Sequence, residues 1–213
     1  MPFKKKTQKI VVASTNPGKL AELSAMLDLD VEWLSLADFP DIAEVVEDAD
    51  TFAQNARRKA LGYACATGLW TIADDSGLVV DALGGAPGVK SARFSGEKVE
   101  QRRLLDHRNM AKVLGMLKGI PPEKRTARFV CCLCLACPEK VLAETQGKLE
   151  GFIAEEEHGT NGFGYDPIFF VPNLGKTVAQ LSLQQKNEIS HRADAISQLK
   201  PLLADILKTA LSG

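Results

Sequence analysis

Two adjacent carboxylates, Asp74 and Asp75, stand between an apolar run and Ser76-Gly77 in TIADDSGLVVDALGGAPGVKSARFSG, residues 71–96. Neighbouring strand residues point to opposite faces, so the pair is expected to divide its roles. Asp74 is read as structural, and Asp75, beside the expected DSG turn, as reactive. Upstream, STNPGK (14–19) joins the apolar strand IVVAS to a helical pattern. A turn at a helix N-terminus presents unpaired backbone N–H groups and the positive end of the helix dipole, which suits phosphate. Ser14, Thr15 and Asn16 add short polar side chains, Gly18 permits close approach, and Lys19 supplies a cation. The spacing is not that of a Walker A loop. Standing alone, this segment would read better as an ordinary strand–helix turn with an exposed lysine. Beside two carboxylates it points to magnesium-assisted phosphoryl chemistry, in which one oxygen holds a hard cation or takes a proton from attacking water.

Two further clusters carry polar or aromatic groups on turns. KNEISHRAD places Lys186, Ser190, His191 and Arg192 around an expected helix start. Cations in a first helical turn oppose the dipole by a few tenths to ~1 kcal/mol, which makes sense if an anion or a polar ring edge docks there. A surface helix start with solvated charges is the plainer reading. NGFGYDP sets Phe163 and Tyr165 among glycines, where an aromatic either stacks on a base or joins the core.

These groups need elements to hold them. Strands are expected at 10–14, 69–73, 78–83 and 128–137, with a meander at 141–145 and 148–154 about a Gly147 turn. Helices are expected at 19–29, from Phe52 to near Gly68 behind a Thr51/Gln54 capping box, at 97–118, and from a Ser190 cap to about Leu211 with Pro201 as a kink. The spacing predicts a single α/β domain over 1–213 on a mixed sheet, with residues 1–8 a flexible leader. At 213 residues, 45% hydrophobic, with a formal net charge of −1, the chain has no global field to attract polymeric nucleic acid or a membrane surface. The basic N-terminus lacks the apolar segment of a signal peptide. Five cysteines, four of them in ARFVCCLCLAC, fit reduced thiols and a cytoplasmic protein. The C-x-x-C at Cys134 and Cys137 lies in a strand-like run and is read as core rather than as a redox or zinc pair.

With STNPGK, EDADTFAQNARRKA, ADDSGLVVDALGGAPGVKSARFSG, GFGYDPIFFVP and KNEISHR in that order, the chain resembles the inosine/xanthosine triphosphate pyrophosphatases, which act on non-canonical purine nucleotides. The resemblance runs from Ile10 to the last helix. It implies an elongated α/β fold with helices flanking a mixed sheet, two lobes with an active-site cleft between them, and a homodimer. It implies hydrolysis of ITP, XTP and dITP to monophosphate and pyrophosphate with Mg²⁺. Carried over by position, Ser14, Thr15, Asn16, Pro17, Gly18 and Lys19 form the triphosphate turn, and Asp75 is the base and a metal ligand. Glu47 is its metal partner, and Lys59 and Ser76 flank the phosphates. Phe163, Gly164, Tyr165 and Asp166 wall the base, whose edge Lys186, His191 and Arg192 read. Mg²⁺, Lys19 and Lys59 would offset most of the about four negative charges of a triphosphate. An oxygen at purine position 6 would accept from His191 or Arg192. Adenine's amino group there would leave donors unpaired, at ~1–3 kcal/mol.

Three positions depart from the family pattern. Ala49 and Ala193 stand where glycine is usual, and Gln54 replaces a glutamate, which would lower metal affinity. Gln54 also leaves open a nucleotide sensor that binds without cutting. A pyrophosphatase for other modified nucleotides, such as methylated pyrimidines, is the alternative within enzymes.

Overall fold

Helix punctuation in the sequence is matched closely by the fold. In this computed structural model, which describes residues 7–97 and 99–212, helix α1 (Pro17–Leu27) begins at an Asn16 cap whose side chain accepts the Gly18 N–H at 2.8 Å. Proline in the first turn has no N–H to lose. Helix α2 (Phe52–Thr67) is capped by Thr51, which accepts the Gln54 N–H, and stops at Gly68 in the left-handed conformation that glycine adopts without strain. Helix α3 (Arg102–Met116) is shorter than the expected 97–118. Helix α4 (Leu183–Ile189) precedes α5 (His191–Ser212), which contains Pro201. Ser190 caps α5 as expected, accepting the Ala193 N–H at 3.0 Å. Of the eight expected leader residues, the first six lie outside the described residues. Gln8 already accepts from the Glu32 N–H.

The strands are β1 (Lys9–Val12), β2 (Glu32–Ser35), β3 (Trp70–Val80), β4 (Thr126–Cys137), β5 (Lys140–Ile153), β6 (Phe169–Val171) and β7 (Lys176–Thr177). They form one mixed sheet in the order β2-β1-β3-β4-β5-β6-β7, with helices beside it: the expected α/β class. Two expectations are corrected. Asp74-Asp75-Ser76-Gly77 is not a turn but the middle of β3, and Gly147 lies buried inside an unbroken β5. Glycine weakens a strand interior, but β3 continues past Ile72, where its pairing with β1 ends, as one strand beside β4.

Strands β1 and β2 are parallel, as are β1 and β3, with Val12 opposite both Ser35 and Ile72. The chain therefore leaves β1 toward β2 on one side and has β3 on the other. In such sheets the crevice outside the carboxyl ends, where the order reverses, is where ligands bind.

The chain divides into two compact units. One comprises Met1–Asp75, Cys132–Gln146 and Asp194–Gly213, the other Ser76–Cys131 and Gly147–Ala193. The first buries Ile10, Val11, Ile72, Leu133 and Leu135 from strands, Leu23 and Leu27 from α1, and Leu199 and Leu203 from α5. The core of the second gathers Leu78, Val80, Val113, Phe129, Ile153 and Phe169. Cys131, Cys132, Cys134 and Cys137 are buried in β4 and form no disulfide, as the strand reading expected.

Candidate active site

The first unit assembles its charged groups past the carboxyl end of β1 and in the middle of β3. Past Val12, the Ser14 N–H turns back to the Val12 carbonyl, and the Ser14 carbonyl accepts from Leu36 beyond β2. Ser14 Oγ accepts the Asn16 N–H at 3.1 Å, so the side chains of Ser14 and Asn16 hold their own turn. Thr15, Asn16 and Gly18 are exposed, and Pro17 opens the helix. Lys19, two residues into α1, reaches Asp74 with its Nζ at 2.9 and 3.1 Å from the two carboxylate oxygens. The Asp74 side chain is only 5% exposed. A buried carboxylate needs such a partner, and this is why an anion is tolerated there.

Asp75 faces the other way from Asp74 and is half-buried. Its Oδ2 accepts from the Asn55 side-chain amide at 2.9 Å, and Asn55 Oδ1 accepts the Ala49 N–H at 2.9 Å. Sequence reasoning passed over Asn55, although it lies inside the quoted TFAQNARRKA; the signal was a short amide beside the apolar Ala56 in an expected helix. One turn on, Lys59 pairs with Glu47 at 2.9 Å, the lysine side chain 16% exposed. Burial lowers the proton affinity of Lys59, but the Glu47 hydrogen bond and the charges of Glu47, Asp74 and Asp75 outweigh it and raise its pKa. Ser14, Thr15, Glu47 and Lys59 line a cavity of about 580 Å³ whose wall also includes the apolar Leu36 and Phe39. Nothing in the sequence had marked that wall.

The sequence departures are accommodated. Neither Ala49 nor Ala193 has the left-handed backbone that would demand glycine, and Ala193 sits in the first turn of α5. Gln54 is exposed beside the Thr51 cap.

The second unit carries the aromatic loop. Gly162 (φ 77°) and Gly164 (φ 61°) give it its sharp turn, and a Cβ on Gly162 would lie 2.0 Å from Asp166 Oδ2. Phe163 is 60% exposed, and the Lys186 ammonium lies 4.4 Å from its ring centroid. Asp166 is buried, accepts the Phe163 N–H at 2.9 Å and pairs with Lys186. Burial raises its pKa, with Lys186 and the Phe163 N–H opposing. Gly164 N–H donates to Asp106 of α3 at 3.0 Å. Tyr165, expected to wall the base, is instead a core residue whose hydroxyl donates to the Ser91 carbonyl at 2.8 Å. It supports the loop from beneath while Phe163 faces outward. His191 stacks on Phe129, centroids 5.1 Å apart, and Phe129 on Phe169. His191, Arg192 and Ser76 are half-buried.

The predicted residues thus form two sets. Ser14 to Lys19, Glu47, Lys59 and Asp75 come together in the first unit. Phe163, Gly164, Asp166 and Lys186 come together in the second, with His191 and Arg192 opening the helix that follows α4.

The profile of the Ham1 family matches residues 10–202. The chain is 48% identical to the dITP/XTP pyrophosphatase of Listeria monocytogenes serotype 4b over 201 residues, covering 94% of this chain and 97% of that protein. It is 50% identical to the dITP/XTP pyrophosphatase of Geobacter sulfurreducens over 193 residues, 90% and 94% of the two chains. The solved structure of a HAM1 protein from Coxiella burnetii superposes with a TM-score of 0.85 at 40% identity, over 93% of this chain and 100% of that one.

Proposed function

From membership of the Ham1 family, to which this chain belongs, we propose that it hydrolyses dITP, XTP and ITP to the nucleoside monophosphate and pyrophosphate. The observation that carries this reading is the set Lys19, Glu47, Lys59 and Asp75 gathered beside the Ser14–Lys19 turn, where the order of parallel strands reverses. Two lysines there meet three carboxylates, so the site is net negative before a triphosphate arrives. A divalent cation is what such a site needs to accept a polyanion.

Among the described residues no three His, Cys, Asp or Glu side chains form a metal cage. That fits Mg²⁺, which takes one or two carboxylates and completes its shell with water and phosphate oxygens. Glu47 and Asp75 would hold it, and when bound it would neutralise charge on the phosphates. Asp75 takes the proton from the water that attacks the α-phosphate, and pyrophosphate leaves. The positive end of the α1 dipole and the turn of Ser14, Thr15 and Asn16 orient the phosphates, with Lys59 and Ser76 beside them. Lys19, held by Asp74, keeps a fixed cation at the turn. Phe163 stacks on the purine, Asp166 and Gly164 set the loop that carries it, and Lys186, His191 and Arg192 present donors to the oxygen at position 6. The protein acts as a homodimer in the cytoplasm, removing deaminated purines from the nucleotide pool.

The test is pyrophosphate release from dITP, XTP, ITP, GTP and ATP, with Mg²⁺ and with EDTA. Release from the first three, abolished by EDTA, is expected. Asp75→Asn should keep the fold by circular dichroism and lower turnover by about 10²–10⁴-fold, the range for loss of a general base. Binding without pyrophosphate release in the wild type would convert the reading to a sensor.

A further inference from the structure

The segment that carries Glu47 is fastened to one face of α2 at alternate residues. Val45 N–H donates to the Tyr63 hydroxyl at 3.3 Å, Glu47 pairs with Lys59 at 2.9 Å, and Ala49 N–H donates to Asn55 Oδ1 at 2.9 Å. The helix residues are four apart, so they form one stripe. Four helical residues rise about 6 Å, and two residues of extended chain cover about 6.6 Å, so the two periods stay in register. Gly62 lies beside the stripe, and a Cβ there would come within 2.7 Å of Val45 Cγ2, so glycine lets the segment sit close.

Asn55 is the end of this clamp nearest the chemistry, and it is 2% exposed. The Ala49 N–H can only donate, so it fixes which end of the Asn55 amide is oxygen. The amide nitrogen must then point at Asp75, where it lies 2.9 Å from Oδ2. A carboxylate oxygen that receives an N–H from a buried, doubly bonded amide has one orientation.

We infer that Asn55 is the positioning residue for Asp75, and that through Ala49 it ties the orientation of Asp75 to the segment carrying Glu47. This inference rests on Asp75 being the base proposed above. Aspartate at 55, ionised, would satisfy Ala49 but offer Asp75 no hydrogen. Alanine would release both. Neither change removes a group that touches substrate, so the loss falls on the chemical step.

The experiment compares Asn55→Ala with Tyr63→Phe, which cuts the tie of the same clamp eight residues along α2 from Asn55. For Asn55→Ala, kcat with ITP and Mg²⁺ should fall about 10²-fold, the scale of an ångström-sized misplacement, with KM within about threefold. Tyr63→Phe should keep kcat within about twofold. Equal losses in the two variants, or an unchanged kcat in Asn55→Ala, would overturn the inference. Asn55→Ser stands in should the alanine variant fail to fold. A crystal structure of the Asn55 variant gives a readout independent of activity. Asp75 in several rotamers supports positioning, and a single rotamer as in the wild type refutes it. A wild type that releases no pyrophosphate would defeat the proposed function, while the rotamer would still decide this point.

Discussion

Asp74 neutralises Lys19 while Asp75, one peptide unit on, takes an amide hydrogen from Asn55. The strand pleat separates the two carboxylates, and that separation gives one a structural charge and the other a polar, half-buried setting. Lys19 therefore has two tasks: it compensates a buried anion, and it keeps a positive charge at the turn. Replacing it with methionine leaves Asp74 without that partner. Because Lys19 is about one-third exposed, the cost is expected to be about 1–3 kcal/mol rather than the larger penalty of a fully buried pair. Urea denaturation should show this loss for Lys19→Met and recovery of most of it in Lys19→Met/Asp74→Asn. Equal stability of the single and double variants would mean that the pair contributes nothing.

At the level of elements, helix α2 holds the Glu47 segment and Asp75, while α3 holds the aromatic loop through Asp106. Strand β4 is buried along almost its whole length and carries four of the five cysteines. Burial pushes the Cys134 thiol up to about 12, so at pH 8 it remains almost wholly protonated and a poor nucleophile. Cys65, near the end of α2, is exposed. Iodoacetamide on the native protein at pH 8, followed by peptide mass analysis, should therefore label Cys65 and spare the β4 thiols. Labelling of all five should require denaturant. Rapid labelling of Cys134 in the native state would contradict its place in the core.

For the whole molecule, a net charge of −1 hides strong local opposition, since the charged groups of the candidate site are mostly paired with one another. Attraction for a nucleotide is then local and metal-dependent rather than a long-range field. No described helix is long and apolar enough to cross a membrane. The proposed homodimer has a simple check. Sedimentation velocity should give twice the chain mass of 23.0 kDa at micromolar concentration. A sharp monomer boundary under those conditions would remove the dimer from the proposal.

Much of the positioning was legible because it is local. Asn16, Thr51 and Ser190 each cap a helix within three residues of themselves, and period-2 alternation predicted that Asp74 and Asp75 would part. The C-x-x-C read as core for the same reason, since its setting was a strand-like run. What lay beyond a few residues was not readable. DSG looks like a turn by composition, yet it lies within β3, which runs on beside β4 past the end of β1. Tyr165 and Phe163 are equivalent in sequence, and only packing against Ser91 buries one and leaves the other outside. Lys19 finds Asp74 across 55 residues, and Asn55 finds Asp75 across 20. The sequence by itself determined which residues carry charge, which ends cap and which faces alternate, because those depend on chemistry and backbone period. Only the tertiary structure decided who partners whom, because a buried polar group takes its partner from whatever the packed chain brings within about 3 Å.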